Sequence, residues 1–449
     1  MEKTEMKDTL SEYLCLASEN DAATAEDFLA AREYIRNSTA TFRFGQLEFQ
    51  CAPKIFTPDA YAVIKDAAET TARILEKVIS RYLEDEKYRA LFPFSKELER
   101  LILLPAGYES KLPISRLDIF FNEETYDFKF CEFNADGASA MNEDREIFNA
   151  WKNSALWKVF RERYDFSAFE LFDSWTDAFM NIYGGFKGRV DNPSVAIADF
   201  SESATNGEFA VFRDSFLKRG INAVIAEIRD LRFKDGALYT KSGLKIDAVY
   251  RRAVTSECME KFGEISDFIA AVKAGAVCLI GAFRTQVIHN KHLFRILRAP
   301  ETAAFLTSDE NAFINAHVPK TFLLEIGKFD LNDVLKNKNA WLIKPADKYG
   351  SKEVAAGGDF SHGEWENLIR EHVGKDFVLQ EYCPPYRTPN MYFDKDGVLH
   401  RHDYGNMTGM FVYDGKLAGL YSRQMRGLVT THHNQGRVAC SVVLRKREG

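Results

Sequence analysis

Residues 116–136, RLDIFFNEETYDFKFCEFNAD, constrain the fold more than any other stretch. Two alternating runs, 116–121 and 126–134, flank the polar segment Asn122-Glu123-Glu124-Thr125, the pattern of a β-hairpin. Side chains two apart on a strand share a face, so Arg116 goes with Asp118 and Glu132 with Asn134. If Asp118 lies opposite Glu132, antiparallel pairing also sets Arg116 opposite Asn134. Two carboxylates, an amide and a guanidinium then converge, whereas a one-residue slip would scatter them. Two oxygen acids and an amide suit Mg2+, which takes few protein oxygens and leaves room for phosphates. An arginine beside them can stabilise charge on a transferring phosphoryl group. The alternative is a solvated sheet face on which Arg116 and Asp118 pair with neighbours. Ile119, Phe121, Phe128 and Phe130 supply the apolar complement that puts the hairpin in a packed sheet.

The chain has 449 residues, enough for two or three domains, with 46% apolar and 28% charged residues, as in soluble globular proteins. Net charge is −7 and the basic residues are dispersed, so nucleic acid is not an expected partner. No apolar run approaches the ~20 residues of a membrane span, and the MEKTEMKDTL start has no apolar core of a secretory signal. Seven scattered cysteines without C-x-x-C suggest a reduced, cytoplasmic protein.

In chain order, 7–35 is expected as helix and 41–44 with 47–51 as a short strand pair. Thr57-Pro58-Asp59 starts a long helix, and a further helix runs from Asn142-Glu143-Asp144 to about Tyr164. From Pro193 the pattern turns to alternating strands and helices: strands at 195–200, 223–228 and 248–251, a helix at 208–218 and a hairpin around Asp235-Gly236. No G-x-G-x-x-G accompanies them, so a dinucleotide site is unsupported. Asn290-Lys291 opens a helix to Arg298. A strand at 319–323 and a short helix at 330–336 precede NAWLIKPADKYGSKEVAAGGD, residues 339–359, where a strand ends in Lys344 beside a polar loop. A lysine so placed can reach phosphate oxygens, but the spacing is not that of a P-loop. A strand at 376–383 then runs into Pro384-Pro385. Strands at 400–404, 408–413, 417–424, 428–431 and 437–444 close the chain, with Asp414-Gly415 as a turn. His432-His433 has no Cys or His at ligand spacing and points away from a metal centre.

Asp118, then some fourteen residues, then Glu132-x-Asn134, resembles the magnesium site of ATP-grasp ligases. With Arg116 two before the acid and Glu-x-Asn-Ala-Asp after it, the stretch resembles the synthetase domain of glutathionylspermidine synthase. That family is circularly permuted, so the metal strands precede the lysine strands. The resemblance implies metal ligands at Asp118, Glu132 and Asn134 and a catalytic Arg116. It implies ATP contacts at Lys291, Lys344 and Arg423, and an adenine hinge at Gln380, Glu381 and Tyr382. Where many relatives carry paired glycines in the lid, this chain has Gly350-Ser351 and Lys352-Glu353, which makes Lys352 a candidate second phosphate contact.

The expected fold is therefore α/β with α+β elements, a circularly permuted ATP-grasp with an inserted Rossmann-like pre-ATP-grasp α/β domain. Residues 1–165 are expected to hold the N-terminal helices and the metal hairpin, 166–285 the α/β insert, and 286–449 the lid, hinge and closing sheet. The implied activity is ATP- and Mg2+-dependent ligation of a small-molecule or peptide carboxylate to an amine through an acylphosphate. The insert carries no substrate signature, so glutathione and spermidine are not claimed. The rival is a catalytically silent nucleotide-binding or scaffold protein of the same fold.

Overall fold

Alternating side chains make the hairpin a sheet element, and it lies inside the sheet that carries the candidate site. The structure is a computed structural model describing residues 5–40, 47–348, 353–429 and 436–445. Ile114–Phe121 and Phe128–Asn134 pair antiparallel, with Asp118 opposite Glu132 and Arg116 opposite Asn134, the expected register. Ile119 is opposite Phe130, so Cys131 is the extra residue of a β-bulge. The bulge keeps the polar set aligned while the apolar residues beyond it still face the core.

The described residues of this sheet run in the order Arg437–Ala439, Lys416–Met425, Leu399–Tyr413, Ile114–Phe121, Phe128–Asn134, with Arg387–Phe393 beside the first half of Leu399–Tyr413. Two strands were expected where one strand of 15 residues stands. Gly405 does not interrupt it, because it is paired on both sides, to Arg387 and to Met425. Arg387–Phe393 was not expected; within the sheet it pairs on one side only, which makes Pro389 tolerable there.

A second, antiparallel sheet carries the lysine strand: Thr321–Leu323, Phe377–Glu381, Trp341–Pro345 and Ala355–Ala356 in spatial order. It packs around its own core of Leu324, Val334, Ile343, Trp365, Ile369, Phe377 and Leu379. The α/β stretch forms a parallel sheet, ordered Cys278–Ile280, Ala248–Arg251, Ser194–Asp199, Asn222–Glu227. Its two faces feed two cores. Ala196, Ala198 and Val249 join Leu117 and Ile119 of the hairpin, while Val195, Ile197 and Tyr250 join Ile114 and Tyr413.

Three expected helices differ in extent for local reasons. The N-terminal one divides into Glu5–Glu19 and Asp21–Asn37, because the Asn20 side chain accepts the Ala23 N–H at 3.2 Å and starts a new helix. Ser154 does the same for Trp157, dividing 142–164 into Met141–Trp151 and Ala155–Arg163. Helix 290–298 shrinks to Leu293–Leu297, since the Lys291 N–H donates to Ala346 O at 2.9 Å, tying that segment to the lysine strand instead. Pro58–Glu84 starts under a Thr57 cap as expected. The expected strand 41–44, part of 428–431 and His432-His433 lie outside the described residues. Among those described, no helix is long and apolar enough to cross a membrane.

Candidate functional site

Arg116 and Asp118, 8% and 2% exposed, form a two-pronged pair: Nε to Oδ1 at 2.8 Å and Nη2 to Oδ2 at 2.9 Å. The Asn134 amide also donates to Asp118 Oδ2, at 3.0 Å, and Arg116 Nη1 donates to Ser139 O at 2.7 Å. The neighbouring strand makes room with Gly409, opposite Asp118: a Cβ there would stand 2.9 Å from both Asp118 Oδ1 and Arg116 Cδ. Burial raises the Asp118 carboxyl above its ordinary value, against the lowering pull of Arg116, and Asp118 in turn raises Arg116 although burial opposes it.

Glu132 answers to the other sheet. Lys291 Nζ is 3.2 Å from Glu132 Oε1 and donates to Lys348 O at 2.6 Å. Burial raises the Glu132 carboxyl, but Lys291, Lys344, His289 and Arg116 together bring it down to about 2. Lys344 Nζ donates to Cys131 O at 3.0 Å and Gln380 Oε1 at 2.8 Å. The bulge thus offers a carbonyl from the hairpin that the lysine strand satisfies. Burial lowers the Lys344 ammonium. Gln380 is fixed in turn by donating Nε2 to Thr321 Oγ1 at 3.0 Å.

Between the two sheets opens a cleft lined by Asp118, Glu132, Lys291, Lys344, Gln380, Glu381, Tyr382 and Arg423. Eight expected site residues therefore meet in one place, contributed by both sheets, by Tyr382 just past the second, and by Lys291 from the segment before Leu293–Leu297. Arg116 and Asn134 sit beside it, bound to Asp118. Lys352 lies outside the described residues. The expected hinge segment is pinned by main chain: Glu381 N–H donates to Lys320 O and Tyr382 N–H to Ala340 O, both at 2.8 Å.

Sequence reasoning missed the apolar walls, among them Phe120, Leu342, Val354, Met407 and Leu428. Two were within reach of strand alternation: Phe120 is two beyond Asp118, and Met407 is opposite Arg423. It also missed Gly409, whose sheet partner Asp118 is some 290 residues away, and Tyr421, which is opposite Gly409. No local pattern carries that information.

The oxygens present fit a hard cation. An ionised carboxylate has about four lone-pair positions, and three protein donors reach Asp118. One position therefore remains for a metal, beside Glu132 and the Asn134 amide. Among the described residues no group of three or more His, Cys, Asp and Glu could hold a metal ion, so a site here depends on that amide.

A family model described as circularly permuted ATP-grasp type 2 matches residues 137–418. The match begins just after the hairpin and ends just before Arg423. No curated protein matches the chain. Among solved structures, a glutathione synthetase-like effector from Globodera pallida, in apoform, superposes with a TM-score of 0.61 at 11% identity, covering 93% of this chain and 96% of that one. That likeness is one of fold. D-alanyl-alanine synthetase A from Vibrio cholerae reaches a TM-score of 0.26 at 10% identity, over 57% of this chain and 89% of that one, too distant to bear on the site.

Proposed function

Because the chain belongs to the circularly permuted ATP-grasp type 2 family, we propose that it is an ATP-dependent carboxylate–amine ligase. The observation that carries the reading is the convergence of Lys291, Lys344, Asp118, Glu132 and the Gln380–Tyr382 hinge on one cleft between two sheets. Lys291 and Lys344 bind the phosphates, Arg423 and Lys352 add charge, and the hinge backbone takes the base. Asp118, Glu132 and Asn134 hold Mg2+, which when bound neutralises phosphate charge. A substrate carboxylate oxygen attacks the γ-phosphorus, and the bond to the β–γ bridging oxygen breaks to release ADP. An amine then attacks the acylphosphate carbon, phosphate leaves, and the amine nitrogen loses a proton. Arg116 stabilises charge on the transferring group. The domain division at 165/166 and 285/286 goes with this reading, as does a cytoplasmic location, to which the seven unpaired cysteines are suited.

One observation favours the silent reading instead: both Asp118 oxygens are already engaged by Arg116. A pool of acids and amines screened for ADP release with Mg2+ and ATP separates the two. Acid-dependent release supports the ligase; ATP binding without release from any acid–amine pair leaves the silent protein.

A further inference from the structure

Tyr421 is fully buried in the strand Lys416–Met425, opposite Gly409. Two guanidinium groups, Arg116 and Arg423, each lie 5.4 Å from the centre of its ring. Two cations on one ring repel each other, so something must hold each in place. Asp118 holds Arg116. Among the described residues no carboxylate lies within ion-pair distance of Arg423. Its Nη2 and Nε donate instead to the Tyr421 hydroxyl, at 2.9 and 3.3 Å.

That hydroxyl itself donates to Glu143, whose Oε2 accepts at 2.7 Å. Glu143 is buried at the start of the helix Met141–Trp151. The phenol therefore has a fixed orientation, with its O–H directed at Glu143 and its lone pairs toward Arg423. A long, flexible side chain facing the cleft is thus held by a rigid ring anchored to a helix.

We infer that Tyr421, anchored by Glu143, is a positioning residue that aims Arg423 at the terminal phosphate of a bound nucleoside triphosphate. The inference rests on the nucleotide-binding reading of the cleft. A guanidinium that reaches its nearest carboxylate, Glu143, only through the Tyr421 hydroxyl, on the wall that also carries Asp118 and Glu132, is a charge available to an anion. The terminal phosphate of a triphosphate would lie beside those acids, whereas a diphosphate lacks the group Arg423 would meet.

The test compares ATP and ADP affinities, each with Mg2+, by calorimetry on the full chain and on Tyr421→Phe, Arg423→Ala and the double variant. Phenylalanine keeps the ring beneath both arginines and removes only the hydroxyl. Tyr421→Phe should weaken ATP roughly 10- to 100-fold, the scale of one charge-assisted hydrogen bond. ADP affinity should not move, which also reports that the fold is intact. If Tyr421 acts through Arg423, the double variant loses no more than Arg423→Ala alone. Wild-type ATP affinity in Tyr421→Phe, equal losses for ATP and ADP, or losses that multiply in the double variant would each overturn the positioning role. A wild-type chain that binds neither nucleotide would remove the nucleotide reading itself, and this inference with it.

Discussion

Gly409 and Asp118 face each other across a strand pair, and the glycine is what lets the Arg116–Asp118 pair lie flat on the sheet. Gly409→Ala should push that pair out of place and cost ~1–3 kcal/mol, the range for an added methyl in a packed site, read as a lowered denaturant midpoint. Arg116→Ala leaves a buried carboxylate without its cation, a change that costs on the order of 3–5 kcal/mol. Its melting temperature should fall clearly; an unchanged one would mean that Asp118 is satisfied some other way. Asp144 supplies the pH test. Burial pushes its carboxyl up to about 7, although the Ser441 N–H, at 2.8 Å, pulls it down. The folded chain then holds that proton more tightly than the unfolded chain, whose value is near 3.8. Stability from this group is full below about pH 4, falls through about pH 7 and levels off above, a change of about 4 kcal/mol. Asp144→Asn should flatten that part of the stability–pH curve in chemical denaturation.

Among the elements, the hairpin was legible from its strand runs and polar tip, while its register, assumed from the polar residues, is the one the sheet has. The bulge was missed, although the aromatics at 126, 128 and 130 shift to Phe133 across Cys131, a break in alternation that marks the extra residue. The long helix Pro58–Glu84 was legible through its Thr57-Pro58-Asp59 start. Thr57→Ala should cost about 1 kcal/mol in stability while leaving ATP affinity unchanged, because the cap lies outside the cleft. The lysine strand and the strand that runs to Glu381 could be placed by order and spacing. What joins them to the hairpin, Lys344 on the Cys131 carbonyl and Lys291 on Glu132, could not, since each contact spans a separation that only the folded sheets close.

Across the whole molecule, the hairpin acids and the Gly409–Tyr421 wall come from distant parts of the chain. The strand beside Ile114–Phe121 is Leu399–Tyr413, so the hairpin is made early in synthesis and its neighbour late. At ~5–20 residues per second, the interval is on the order of tens of seconds. During that time one hairpin edge has unpaired main-chain groups, next to Leu117 and Ile119, both fully buried in the finished fold. A chain cut short before Leu399 should therefore be found in the insoluble fraction, whereas the intact chain should be recovered in solution. For this protein the nascent chain itself, more than the finished one, is where a cell's holding chaperones would be needed.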